Sequence, residues 1–122
     1  MSIYLLFLVS TFSFAFKIDE LEFGKIVEQN KKAEKTFTLT NNDVDTKIYR
    51  ISIEGDKNIK VSPSLLNILP QQSKKFKLNV IADNIKGEHS YFLVIREVKK
   101  DKVKKDVGIN EIIKIKQKYM IK

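Results

Sequence analysis

The 122-residue chain contains no cysteine, so a disulfide, a thiolate nucleophile and a cysteine-ligated metal site are all excluded. His89 is the only histidine, and no second ligand lies at metal spacing from it, so we assign it no role and predict no metal site. The sequence also lacks a glycine-rich phosphate loop and a nucleophile elbow. Asp19, Glu20 and Glu22 are neighbours, but strand alternation would spread them over both faces of a sheet. We therefore predict that the protein is not an enzyme and needs no cofactor.

Arginine is also scarce. Of 23 basic residues, 21 are lysine and 2 are arginine, and the formal net charge is +8. Recognition of phosphates or bases favours arginine, whose planar fork binds bidentately. The lysines are spread along the whole chain, including the run at residues 99–106, where interspersed aspartates favour a solvated loop. We predict no nucleic-acid partner, although the charge would also suit acidic partners or an anionic membrane.

No apolar run is long enough to span a bilayer, which takes ~20 residues. The longest, residues 3–16, is followed by Lys17, and the small residues Ser13 and Ala15 stand where a secretory cleavage site needs them. We interpret residues 1–15 as a signal peptide, although no basic residue precedes the apolar run; an N-terminal core strand is the alternative. Export of a cysteine-free chain indicates a bacterial periplasm.

Residues 16–122 suffice for one domain and consist of short alternating segments separated by turn residues, which is typical of an all-β sandwich. Gly24 indicates a bulge or a switch between sheets in the first segment. Residues 90–98 are nearly continuously apolar and predict a central strand buried on both faces. The predicted strands cover residues 21–26, 35–40, 47–54, 59–61, 76–80, 90–98 and 107–121. About seven strands indicate an immunoglobulin-like fold.

The last segment, residues 107–121, alternates over the longest stretch. Its odd positions are mostly apolar, interrupted by Glu111, and its even positions carry Lys114, Lys116 and Lys118. A long edge strand with one apolar face can be offered to another chain, including a second copy of itself. Lys25 and Lys116 lie on the predicted first and last strands, where two cations brought together could hold a carboxylate; either alone is more often a surface lysine.

Four segments in order resemble the N-terminal domain of PapD-like periplasmic chaperones, which assemble pili by the chaperone/usher route. Residues 39–43 are similar to the end of the family's second strand and its turn. Residues 61–78 resemble its "VxP…L…(P)G…LR" segment, with Lys77 in place of the usual arginine. Residues 90–94 resemble its "ES-x-F-x-x-N" strand, and residues 113–119 the "KIKLFYRP" end of its last strand.

The resemblance implies donor-strand complementation, in which the last strand is lent without ATP to a pilus subunit that lacks one, with an outer-membrane usher as a further partner. The donors carried over by position are Val107, Ile109, Ile113 and Ile115. Lys25 and Lys116 match the basic pair that anchors the subunit's C-terminal carboxylate, with Lys25 standing where the family has arginine. The family's second domain would begin where the sequence stops, so a truncated or split chaperone, or a one-domain relative, is expected.

Two alternatives come from other functional classes. A structural or adaptor domain of the cell envelope, of the wider PapD-like and major-sperm-protein-like kind, would use the last strand only to complete its sandwich. The segment Phe23-Gly24-Lys25-Ile26 and the strand of Phe37 suit that group equally well. A basic domain on anionic membrane or nucleic acid would show binding that falls steeply with salt.

Overall fold

The computed structural model describes residues 16–98 and 112–122, which form nine strands. These residues include no helix that could cross a bilayer. The signal peptide predicted at residues 1–15 and the donor positions Val107 and Ile109 lie outside the described residues. The strands are β1 (Phe16–Ile18), β2 (Ile26–Val27), β3 (Lys32–Asn41), β4 (Lys47–Glu54), β5 (Ile59–Ser62), β6 (Leu65–Ile68), β7 (Ser73–Ile81), β8 (Gly87–Val98) and β9 (Ile112–Ile121).

The strands form two sheets. One has four strands in the order β1-β3-β7-β5, and the other has five in the order β2-β9-β8-β4-β6. Neighbouring strands are antiparallel, except that β2 runs parallel to β9. The predicted all-β, immunoglobulin-like sandwich is therefore confirmed.

Alternation within the strands builds the core between the two sheets. On β3 and β7, Phe37 and Phe76 are cross-strand partners whose rings stack with centroids 5.3 Å apart, while the threonines of β3 face outward. Burying such a side chain contributes about 1.5–3 kcal/mol. The largest fully buried side chains are Tyr49, Tyr91, Tyr119, Phe23, Phe37 and Phe76.

The first strand predicted at residues 21–26 is wrong, since most of these residues lie between the two short strands β1 and β2, which belong to different sheets. β1 pairs with β3, whereas β2 pairs with β9, so the chain crosses between the sheets at residues 19–25. Gly24 lies in this crossing with φ +61°, a conformation that favours glycine, and its predicted role in a switch between sheets is confirmed. Within the crossing, Phe23 is buried but Leu21 is 58% exposed, because a crossing segment does not keep strand alternation. Ile26, the first residue of β2, is 67% exposed.

Two other segments differ from prediction. Leu65–Ile68 forms a separate strand, β6, at the edge beside β4. β8 is central, as predicted, but burial on both faces was wrong: of its outward residues only Val94 is fully buried, and Phe92 is 40% exposed. The reason is that an antiparallel sheet can leave one face to solvent, whereas the continuous apolar run suggested a sheet covered on both sides.

Asn41 was predicted as a turn residue and ends β3 as a fully buried amide. Its Nδ2 donates to the carbonyls of Asp45 (2.8 Å) and Ile68 (2.9 Å), and its Oδ1 accepts from the Asp43 backbone (2.8 Å). The bend follows at residues 43–45. Asn41 thus shapes the turn through its side chain, because a buried amide needs hydrogen-bond partners.

Candidate functional site

Among the described residues, one edge of β9 has no strand partner over most of its length, and we call it the open edge. β8 pairs with β9 from Ile112 to Ile121, whereas β2 pairs only with Met120 and Ile121. On the β2 side, the Met120 amide donates to the Lys25 carbonyl (3.1 Å) and the Lys122 amide to that of Val27 (2.9 Å). Amides two residues apart point the same way, so those of residues 112, 114, 116 and 118 also point to this side. Within residues 16–98 and 112–122, no strand pairs with them there.

The side chains of β9 divide along its length. Ile113 and Ile115 are only half-buried against the core, whereas Gln117, Tyr119 and Ile121 are fully buried. The predicted alternation is therefore confirmed from residue 112 onward, with the odd positions turned inward. The two described donor candidates lie where β9 has its open edge.

Gln117 connects β9 to the crossing segment. The Tyr91 hydroxyl donates to Gln117 Oε1 (2.6 Å), and Gln117 Nε2 donates to the Leu21 carbonyl (3.0 Å). Burial raises the pKa of Tyr91, so its hydroxyl stays protonated as the donor. Gln117 was not among the predicted site residues. Its position on the inward face of β9, among mostly apolar side chains, was the signal that it makes a buried polar contact.

Tyr119 holds the other end of the same inward row. Its hydroxyl donates a hydrogen bond to Asp56 Oδ2 (2.6 Å). Its ring packs edge-on against Phe23 and is stacked on the ring of His89, with centroid distances of 6.3 and 5.1 Å. Burial, together with the Asp56 hydrogen bond, raises the pKa of Tyr119. His89 Nε2 also lies 2.8 Å from the Ile85 carbonyl oxygen. The imidazole therefore contributes to packing and hydrogen bonding within the domain.

Lys25 and Lys116 line two neighbouring clefts beside the crossing segment. The larger cleft, about 360 Å³, contains Lys116, and the smaller, about 210 Å³, contains Lys25. Both clefts are also lined by Gly24, Glu88 and Lys118. The predicted pair therefore occupies adjoining clefts, and Lys118 is the lysine that the two clefts share.

Lys118 was not among the predicted site residues. Its Nζ lies 2.9 Å from Glu88 Oε2 on the outer face of the sheet. The hydrogen bond and charge of Lys118 lower the pKa of Glu88, with a further contribution from Lys116, and Glu88 in turn raises the pKa of Lys118. Strand alternation, which puts residues 116 and 118 on one face, was the signal that could have identified it. Glu22 also lines the larger cleft, so the two clefts together carry three lysines and two carboxylates, Glu22 and Glu88.

Neither a protein-family model nor a curated protein matches the sequence. Many solved structures match the fold, and structures of bacterial chaperones are among them. The Escherichia coli chaperone DraB has a TM-score of 0.68 at 14% identity, covering 88% of this chain and 56% of that one. The CsuC–CsuE chaperone–tip adhesion subunit complex of Acinetobacter baumannii has a TM-score of 0.67 at 17% identity, covering 88% and 52%. The chain thus spans about half the length of these chaperones.

Structures that consist of one such domain match equally well. The ASH/PapD-like domain 7 of human CEP192 has a TM-score of 0.70 at 12% identity and covers 99% of this chain and 96% of that domain. A Caenorhabditis elegans protein of the MSP family matches as well. The chain therefore has an immunoglobulin-like β-sandwich fold, which is also the fold of these chaperones and of the ASH and MSP domains.

Proposed function

We propose that the protein is a periplasmic chaperone for pilus-type or other secreted β-rich subunits, acting without ATP by donor-strand complementation. The observation that carries this proposal is the open edge of β9 beside the half-buried Ile113 and Ile115. Unpaired strand edges are normally shortened, charged or covered, since they recruit other chains. β9 carries exposed lysines on its outer face, but it keeps the half-buried Ile113 and Ile115 on its inner face, and such apolar side chains beside an open edge are what a donor strand requires.

In this mechanism the subunit adds a strand beside β9. The amides and carbonyls of the even residues 112–118 would provide the main-chain ladder, which supplies affinity with little dependence on sequence. Ile113 and Ile115, with Val107 and Ile109 at the two further donor positions, would fill apolar pockets of the subunit and give specificity. Each half-buried isoleucine would lose its remaining exposed surface in the complex, which favours binding.

The lysines of the two clefts would anchor a carboxylate. Lys25 and Lys116 are exposed and lie on either side of the shared residues Gly24 and Lys118. A chain terminus entering the clefts would meet up to three ammonium groups beside the carboxylates of Glu22 and Glu88. Charge-assisted hydrogen bonds to the lysines would be stronger than neutral ones. We assign the subunit's C-terminal carboxylate to this position, with Lys118 as an additional contact.

Export through residues 1–15 as a signal peptide, and residence in the periplasm, are part of the same proposal. Phe16 would stay in the mature domain, since it is buried and its ring packs edge-on against Tyr49 with the ring centroids 5.3 Å apart. The chaperone structures with the same fold, including one in complex with a tip adhesion subunit, add support. An usher and self-association through β9 stay predictions.

The donor role is tested by capture of the subunit from native periplasm with the tagged mature protein. Ile115→Asp should reduce recovery of a small secreted β-rich subunit at least about tenfold, since a carboxylate in an apolar groove is costly. Lys114→Asp is the matched control, because it puts the same charge on the opposite face of β9 and should retain capture. Urea unfolding of both variants checks that the fold survives. Equal capture by both variants would rule out the donor strand.

The anchor is tested separately with charge reversals. Lys25→Glu plus Lys116→Glu should abolish capture, whereas Lys60→Glu plus Lys75→Glu, exposed lysines of the other sheet, should leave it unchanged. A synthetic peptide of the subunit's last residues should bind with a free carboxylate and lose affinity as its C-terminal amide. Equal affinity for acid and amide would exclude carboxylate anchoring without affecting the donor proposal.

A structural or adaptor domain of the cell envelope is the second candidate. It is supported by near-complete coverage of an ASH domain and an MSP-family protein, 96% and 98% of their lengths. In that case β9 completes its own sandwich and the lysines have no ligand. Capture of an envelope protein irrespective of Ile115 and the lysines would favour it.

A further inference from the structure

The chain's only two arginines are direct cross-strand partners. Arg50 on β4 is paired in register with Arg96 on β8, and both side chains are exposed on the outer face of the five-stranded sheet. Residues directly opposite in an antiparallel pair have Cβ atoms about 4.5–5.5 Å apart, and like charges placed so close repel each other. A sequence that uses lysine 21 times has put both of its arginines at this one cross-strand position.

The acidic residues of this face neutralise lysines instead. Lys114 pairs with Glu54 at 3.2 Å and Lys118 with Glu88 at 2.9 Å. In the part of the chain that the structure describes, neither arginine has an ion pair. Among the described residues, the two guanidinium groups thus form a local positive charge that no carboxylate neutralises.

The arginines are bordered by apolar side chains on three sides. In their own cross-strand row, Leu65 lies opposite Arg50 and Ile112 opposite Arg96, and both apolar residues are exposed. In the next row, Ile48 and Val98 are paired with each other and half-buried. Such a border excludes water from a seated ligand, which strengthens the electrostatic attraction.

We propose that Arg50 and Arg96 form a docking site for an acidic segment of a partner protein, in which a carboxylate is flanked by apolar residues. The guanidinium fork matches a carboxylate bidentately, and lysine does not. The apolar border favours a protein segment over a hydrated layer of lipid headgroups. The headgroup phosphates would offer no apolar group to contact Leu65 and Ile112. The site lies on β4 and β8, not at the open edge of β9, so it does not depend on the chaperone proposal.

The test uses a fluorescein-labelled eight-residue peptide of alternating glutamate and valine, with its glutamine counterpart as the uncharged probe. Binding is measured by fluorescence anisotropy at physiological ionic strength. The double variant Arg50→Lys/Arg96→Lys keeps the charge and removes the fork, and should weaken binding by at least about tenfold. Lys60→Gln/Lys75→Gln removes two charges from the other sheet and should change binding by less than about twofold. Urea unfolding checks that both variants are folded.

Three results would overturn the proposal. Equal binding by the arginine-to-lysine variant would show that only net charge matters. Equal binding of the glutamine peptide, or none of the glutamate peptide, would show that no carboxylate is recognised. Arginine-dependent binding of phosphatidylserine vesicles in preference to the peptide would identify a membrane, not a protein, as the occupant.

Discussion

The two halves of β9 have the same alternating sequence but different bonding. Residues 117–121 pair with β8, and Met120 and Ile121 pair with β2 as well. The inward side chains of Tyr119 and Ile121 are fully buried. Residues 112–116 are held by β8 alone among the described strands, and Ile113 and Ile115 are half-buried. One half therefore belongs to the core of the sandwich, and the other half is available at its edge.

The difference arises in the crossing segment, not in β9. The chain turns at Gly24 and joins β9 only for Ile26 and Val27, while Gln117 binds the Leu21 carbonyl through its side chain. Had residues 19–27 formed one continuous strand along β9, the edge would be closed. The availability of a strand is thus decided by its neighbour, whereas its own alternation decides only which side chains face inward.

Amide exchange should show the largest contrast. The amides of the odd residues 113–119 point to β8, whereas those of Lys114, Lys116 and Lys118 point to the open edge. We expect the even amides to exchange at least about 10³-fold faster than the odd ones, since core amides exchange only on global unfolding. Hydrogen exchange followed by NMR on the free protein measures this.

Binding of a subunit should then protect the same even amides. If Lys114 and Lys116 were as protected as Ile113 and Ile115 in the free monomer, the edge would be closed and the adaptor function would be favoured. Met120 and Lys122, whose amides donate to Lys25 and Val27, serve as internal references for a paired edge.

Matched isoleucine truncations should give the next largest difference. Ile121→Ala should destabilise the fold by about 2–5 kcal/mol, because it leaves a cavity among fully buried side chains. Ile113→Ala should cost clearly less, since Ile113 is already half-exposed and the space can be filled by water. Urea unfolding midpoints and slopes of the two variants measure the difference. Equal losses would mean that both halves of β9 contribute equally to the core.

Removing the side-chain contact of Gln117 should have a smaller effect. Gln117→Ala leaves the buried Tyr91 hydroxyl without its acceptor, which costs about 1–3 kcal/mol. Lys116→Ala, one residue away on the exposed face, is the control and should change stability by less than about 0.5 kcal/mol. A Tyr91→Phe background should reduce the cost of Gln117→Ala, and an unchanged cost would show that this hydrogen bond is not responsible.

The sequence predicted the parts of this contrast that depend on periodicity. Alternation correctly predicted the inward face of β9 and the inward Phe37 on β3, and the absence of a Cβ at Gly24 indicated the switch between sheets. It could not predict that the switch leaves most of β9 unpaired, because pairing depends on contacts between residues about 90 positions apart, such as Gln117 with Leu21. Likewise, Arg50 and Arg96 become neighbours only through the β4–β8 register.

The smallest expected effect belongs to the exposed Glu88–Lys118 pair beside the lysine clefts. Lys118 lowers the pKa of Glu88 in the folded protein, so the stability that this carboxylate contributes is present above its ordinary pKa of 4.5 and is lost as the pH falls through the folded value. The pKa of Lys118 is raised, so its contribution is lost only as the pH rises through its folded value, above 10.5. Glu88→Gln should therefore make the acid limb of the stability profile slightly shallower. Because the pair is exposed, salt should screen the difference. Urea midpoints at low and high salt measure it, and identical acid limbs at low salt would show that the pair adds nothing to stability, leaving Lys118 free to serve a ligand.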